Sequence, residues 1–287
     1  MAGGRKRKLV KYEEDSDFEE EKTTKKSKTT DDEEDQDMQV ISESSFHPSK
    51  ITIPRPAHGP FPDALSADSL EFLANLAENN DRDFMHVKAK EWERTRKDFT
   101  DFVGLLAKEI HQVDPSVRLE QPKNAVYRQH RDLRFTNDKR PYKTNLSASF
   151  SRSGRKFLDA GYHLSIKPGH QSFFAAGIWQ PGKTMLENLR QNMIRHGNLL
   201  REALSTEAVQ EVFGQTGTAI LSDEDKLKVA PKNVARDHPE IELLRYKSVV
   251  VVKTFTDQEV VSEGFIEKVM DAAEALVPLV AVLNAWV

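Results

Sequence analysis

The stretch LSASFSRSGRKFLDAGYHLSIKPGHQSFFAAGIW, Leu146 to Trp179, decides the fold. It holds three short runs that are alternating or apolar, Leu146–Ser151, Tyr162–Ile166 and Phe173–Trp179, separated by turns rich in glycine and proline. Such runs read as consecutive strands. Just upstream, Ala125–Gln129 reads as a further short strand. Downstream, the period changes. Leu186, Leu189 and Met193 recur at helical spacing from about Thr184 to His196, and further helical stretches carry the chain to Gly214. Val249–Val252, followed by Phe255, returns to strand character, and four consecutive valines suit a strand covered on both faces.

The flanks of this centre are helical. Ser66 or Asp68 caps a first helix that places Leu70, Leu73 and Leu76 on one face and stops at Asn79-Asn80. A longer pattern runs from about Asp83 to Gln112, with Trp92, Phe99, Phe102, Val103, Leu106 and Ile110 in register. The closing helix, about Gly264 to Trp286, repeats Phe265, Val269, Ala273, Leu276, Val280 and Leu283, and Pro278 is expected to kink it near Glu274. Helices, then consecutive strands, then helices around a late strand imply an α+β fold. We expect a single compact domain over residues 65–287, with a mainly antiparallel sheet packed against helices.

Ahead of it, Phe46–Pro62 contains five prolines and reads as a linker, residues 46–64 in all. Residues 1–45 alternate basic and acidic blocks, RKRKLVK, EEDSDFEEE, KTTKKSK and DDEEDQD. Their small apolar content predicts a disordered charged tail. RKRKLVK and KKSK resemble nuclear-import signals, so nucleus or cytoplasm is the expected location, and nuclear protein partners are expected through the tail. Ser16 in SDFEEE suits an acidophilic kinase.

Composition narrows the function classes. The tail holds 9 Lys and Arg against 14 Asp and Glu, leaving 33 and 32 of the totals of 42 and 46 for the remainder. A nearly neutral domain argues against a dedicated nucleic-acid binder. The absence of cysteine excludes disulfides, zinc–thiolate sites and thiol nucleophiles. The N-terminus shows no apolar signal segment, and Ala275–Val287 is shorter than the roughly 20 apolar residues of a membrane helix, so no membrane association is expected.

Two segments invite chemistry. Gly177–Thr184, GIWQPGKT, matches the phosphate-binding loop G-x-x-x-x-G-K-[ST] between a strand and a helix. Physical chemistry weighs against it. Pro181 offers no N–H to a phosphate, and Trp179 is bulky where the loop must wrap closely.

The segment YRQHRDLRFTNDKRPYK, Tyr127–Lys143, carries Arg128, Arg131, Arg134, Lys139, Arg140 and Lys143 against Asp132 and Asp138. Tyr127, Leu133, Phe135, Pro141 and Tyr142 interleave with these charges and should hold the backbone against the core. A helical turn over Arg131–Phe135 would put Arg131 and Arg134 on one face. Guanidinium forks on rigid structure suit carboxylate or phosphate. We therefore expect a pocket for an anionic small molecule built from Arg128, Arg131, Arg134, Lys139 and Lys143. Asp132 would orient an arginine or act as a base, with Tyr142, His163 and Lys167 as secondary contacts. A structural ion-pair network is the competing reading, and the sequence leaves both open. His130, His163 and His238 are each able to serve as a base near neutral pH, but none has metal-ligand spacing. No metal, no cofactor and no catalytic residue is assigned.

The ordered motifs YRQHRDLRFTNDKRPYKTN, GYHLSIKPG, GIWQP and DHPEIELLRYKS resemble a widespread bacterial and fungal family, the domain of unknown function 2461. Its pattern is R-x-x-R-D-x-R-F-x-x-D-K-x-P-Y-K, then G-Y-Y-x-x-I-x-P-G, then G-x-W-x-P. The resemblance spans about Leu65 to Trp286 and departs at Asp83-Phe84-Met85, where the family tends to an aromatic-rich pair. It implies no activity, cofactor or catalytic residue. It matches the GIWQP stretch through Gly177, Trp179 and Pro181, and not through Lys183.

Overall fold

The computed structural model of the chain describes residues 46–134 and 136–287. The charged tail and Phe135 lie outside them.

Four strands form one antiparallel sheet in sequence order: β1 (Leu146–Ser151), β2 (Gly161–Ile166), β3 (Ser172–Ile178) and β4 (Val249–Phe255). The period of two sorts their side chains onto two faces. Leu146, Ala148 and Phe150 of β1, Tyr162 and Leu164 of β2, Phe174 and Ala176 of β3 and Val249 and Val251 of β4 are buried in the core. The other face carries three rows of cross-strand neighbours. They are Ser147–Ser165–Phe173–Thr254, then Ser149–His163–Ala175–Val252, then Ser151–Gly161–Gly177–Val250.

The core face is covered by helices. Among the described residues, α1 (Ala67–Glu78), α2 (Arg82–Val87), α3 (Ala89–Val113) and the single turn α4 (Pro122–Ala125) precede the sheet. Between β3 and β4 come α5 (Lys183–Ala203), α6 (Glu207–Phe213), a 3-10 turn (Gly217–Ile220) and α7 (Ile241–Leu244). After β4 come α8 (Asp257–Val260) and α9 (Phe265–Ala285). Helix α9 packs against β3, α3, α5 and α6. Its Phe265 stacks on Phe102 of α3 at 5.4 Å and meets Phe255 of β4 edge-on at 5.3 Å, so one side chain joins both helices to the sheet. No helix among the described residues is long and apolar enough to cross a membrane.

The α+β architecture with an antiparallel sheet is as expected, and several elements differ in detail. Ser66 caps α1 by accepting from the Asp68 N–H. The long helix expected from Asp83 is broken at Lys88, whose ψ of 25° ends α2 before α3 begins. Asp81 caps the short α2, which seats Phe84 between Phe46 and Phe72. Tertiary burial of that ring overrides helix continuity. Helix α5 runs on to Ala203, past a break at His196. Helix α9 continues through Pro278, which supplies no N–H to the Glu274 carbonyl.

Ala125–Gln129 is not a strand. Pro122 opens the turn α4, and only Val126 bridges to Ala148, with the Tyr127 N–H donating to the Ser147 carbonyl at 2.9 Å. Nor is there a helical turn over Arg131–Arg134 among the described residues. Strand β4 is not covered on both faces, because Val252, on the face away from the helices, is 38% exposed. Its outer side is touched by Leu221, which bridges to Val251. The proline-rich stretch has no regular structure, yet it lies against α1. Asn79 grips the His47 backbone through both its amide groups, and Ile53 is buried.

Candidate functional site

The face of the sheet turned away from the helices floors a cleft of about 680 Å³. Its depth follows from the third row. A side chain at Gly161 would place its Cβ 2.3 Å from the Phe150 carbonyl oxygen, and one at Gly177 would place it 2.0 Å from that of Val249. Gly177 also holds a φ of +132°. Only glycine fits either position. Because the two are cross-strand partners, the middle of that row is bare backbone, and Ala175 keeps the adjoining position small.

The wall beside β1 is polar. Tyr127 Oη lies 3.1 Å from Ser149 Oγ, which lies 2.8 Å from His163 Nδ1. His163 sits between the rings of Tyr127 and Phe173, with centroids 5.8 and 5.9 Å away. Burial, reinforced by the charge of Lys143, lowers its pKa to about 4, so the imidazole is neutral near pH 7. Two cations flank the Tyr127 ring: Lys143 Nζ and Arg155 Cζ each lie 5.3 Å from its centroid. Arg155 donates from Nε to the Asn124 carbonyl at 2.6 Å. Neither cation forms an ion pair among the described residues. Burial first, and then the charges of Arg128 and Arg155, push the Lys143 pKa down.

The far end of the cleft gathers apolar side chains, with the carboxylates of Asp159 (held by Arg152 at 3.1 Å) and Glu224 beside them. The loop from Ser151 to Gly161 carries Phe157 and Leu158, and Trp179 follows β3. All three line the cleft and are exposed, at 63%, 57% and 44%.

The basic segment is thus divided. Its base adjoins the cleft: Tyr127 lines it, Lys143 lies against the Tyr127 ring, and the Lys143 N–H donates to the Gln129 carbonyl at 2.8 Å. Its tip is occupied with itself. Arg134 holds Asp132 through two bonds of 3.0 and 2.7 Å. Asp138 receives Arg140 at 2.7 Å and Arg131 at 2.6 Å. Lys139 donates to the Thr136 carbonyl at 3.2 Å. The Arg134 bonds hold the Asp132 carboxyl well below the usual range, and those from Arg140 do the same for Asp138.

Of the residues singled out in the sequence, Lys143 and His163 come together, and the charge of Arg128 acts on both Lys143 and Asp132. Arg131, Asp132, Arg134 and Lys139 sit apart, in the tip. Tyr142 is buried, with its backbone N–H and carbonyl both held by Asn80, and its ring lies 4.9 Å from that of His130. Lys167 contributes its N–H to Ser172 Oγ, and His238 accepts the Glu240 N–H. In the GIWQP turn, the Gln180 N–H is already given to Ser248 Oγ at 2.8 Å.

Sequence reasoning passed over Ser149, Arg155, Phe157 and Gly161, and it read Gly177 and Trp179 only as parts of the GIWQPGKT stretch. The alternation of Ser147, Ser149 and Ser151 with Leu146, Ala148 and Phe150 was the available signal for a second, polar side of the sheet. Phe157-Leu158, an apolar pair in a glycine- and arginine-bearing loop, was another.

No curated protein and no solved structure matches the chain. The family model described as "Conserved hypothetical protein (DUF2461)" matches residues 68–281, from α1 into the last turns of α9. The cleft and the helices beneath it lie within that span, and the chain belongs to this family.

Proposed function

We propose that the domain binds a small organic anion, bearing a carboxylate or a phosphate, in the cleft on the open face of the sheet. The observation that carries this reading is that Lys143 and Arg155 both lie against the Tyr127 ring, and neither has a carboxylate partner among the described residues. Such a cluster is repulsive until an anion enters it. The Nη1 and Nη2 groups of Arg155 have no acceptor among the described residues, and a guanidinium fork matches a carboxylate or phosphate edge. Tyr127, Ser149 and neutral His163 supply hydroxyl and imidazole groups beside the anion.

Thermal-shift measurements with acetate, benzoate, phosphate and nucleotides test this. At least one anion should raise the melting temperature of the full chain, and Arg155→Gln should weaken its binding by about tenfold or more, the usual scale for one charge-assisted hydrogen bond. If no anion stabilises the protein, or Arg155→Gln responds as the parent does, the reading is wrong.

The alternating charge blocks of residues 1–45 support a separate role for the tail in nuclear import or partner binding. Deleting residues 1–45 should abolish nuclear accumulation. Unchanged localisation after the deletion would remove that role.

A further inference from the structure

Resting on the anion reading above, we infer that the ligand is an aryl-bearing monoanion whose flat ring lies on the glycine floor of the cleft. The Tyr127–Ser149–His163 wall lies beside β1, and the exposed apolar side chains gather at the end of the sheet that also carries Asp159, which Arg152 holds at 3.1 Å, and Glu224. The third row, Ser151–Gly161–Gly177–Val250, is the end of the sheet from which the β1–β2 loop departs and beyond which β3 runs on to Trp179. Phe157 and Trp179 therefore border the same end of the sheet as the bare floor.

The dimensions suit a ring. Strands lie ~4.8 Å apart and same-face residues ~7 Å apart along a strand, so Ala175, Gly161 and Gly177 leave a patch of about 5 by 7 Å, the footprint of a six-membered ring. Backbone close approach forbids any side chain at either glycine, so the protein cannot fill this patch itself. Exposed aromatic side chains at the rim of a bare floor offer edge and face contacts to an aromatic guest. Arg155 stands on the same β1–β2 loop as Phe157, so one loop supplies both the anion contact and an aromatic contact. A ring and an acidic group on one small molecule would satisfy both.

Isothermal titration of the full chain with indole-3-acetate, acetate and indole tests this. Indole-3-acetate should bind about tenfold or more tighter than acetate, the scale of one aromatic contact plus the area it covers. Indole, without the acid, should bind more weakly than indole-3-acetate. Trp179→Ala, at an exposed position, should remove much of the advantage of indole-3-acetate while leaving acetate unchanged. Ala175→Leu should do the same by raising the floor, with circular dichroism confirming that the variant is folded. Equal affinity for acetate and indole-3-acetate overturns the ring, while anion binding itself stands. An unchanged ratio in Trp179→Ala also overturns it. If neither anion binds, the anion reading and this inference fall together.

Discussion

His163 is held neutral between two aromatic rings, and this fixes how the fold responds to acid. Its pKa of about 4 lies below the value of about 6.5 expected in an unfolded chain. As pH falls, the unfolded state takes up the proton first. The resulting stability is present above about pH 6.5 and is lost as pH falls through about 4, a loss of about 3 kcal/mol. Urea denaturation of the parent between pH 7 and 4 should show that decline, and His163→Gln should flatten it. Lys143 gives a second prediction. An anion beside it favours the ammonium form that burial and its neighbours disfavour. Anion affinity should therefore fall as pH rises through the titration of Lys143, which binding measurements carried from pH 7 into the alkaline range will read. Little of this was visible in the sequence. Lys143 and His163 are 20 residues apart, and nothing in the chain marks which lysine of a basic run is buried.

At the scale of elements, Phe265 is the joint between α9, α3 and β4. Phe265→Ala should destabilise the domain by about 3–5 kcal/mol, the usual range for a buried phenylalanine, read from the urea midpoint. The long helices and the four strands were legible because one face of each is apolar at the right period. The exceptions have particular causes. The break at Lys88 carries no glycine or proline to announce it, and it arises from the demand of Phe84 for burial. Ala125–Gln129 has strand composition, but Pro122 spends its first residue on a turn, leaving Val126 and Tyr127 to touch the edge of β1. The basic segment looked uniform in sequence. Its division into a tip of local ion pairs and a base at the cleft depends on Asp132 and Asp138 lying within two residues of Arg134 and Arg140. That spacing was readable, and it was the clue that the tip's charges would be paired at home.

For the whole molecule, the helices take one face of the sheet and the cleft opens on the other, so ligand binding should couple to global stability by mass action. A ligand at a hundred times its dissociation constant adds about 2.7 kcal/mol, and should raise the melting temperature by about 5–10 °C for a domain of this size. Variants confined to the ion-paired tip, such as Arg134→Ala, should retain that shift, whereas Arg155→Gln should lose it. The class of fold was legible from the order of elements. The open face was not, because a strand pattern states which residues alternate and not which side is roofed.

The paired glycines have a consequence for how such a cleft can change over generations. Any single replacement at Gly161 or Gly177 meets a carbonyl on the neighbouring strand, so it is rejected by folding before any ligand is encountered. The depth of the cleft is thus shielded from gradual drift. The exposed side chains of the β1–β2 loop and Trp179 carry no such constraint. New ligand preferences should arise at that rim, by ordinary point changes, while the floor stays as it is.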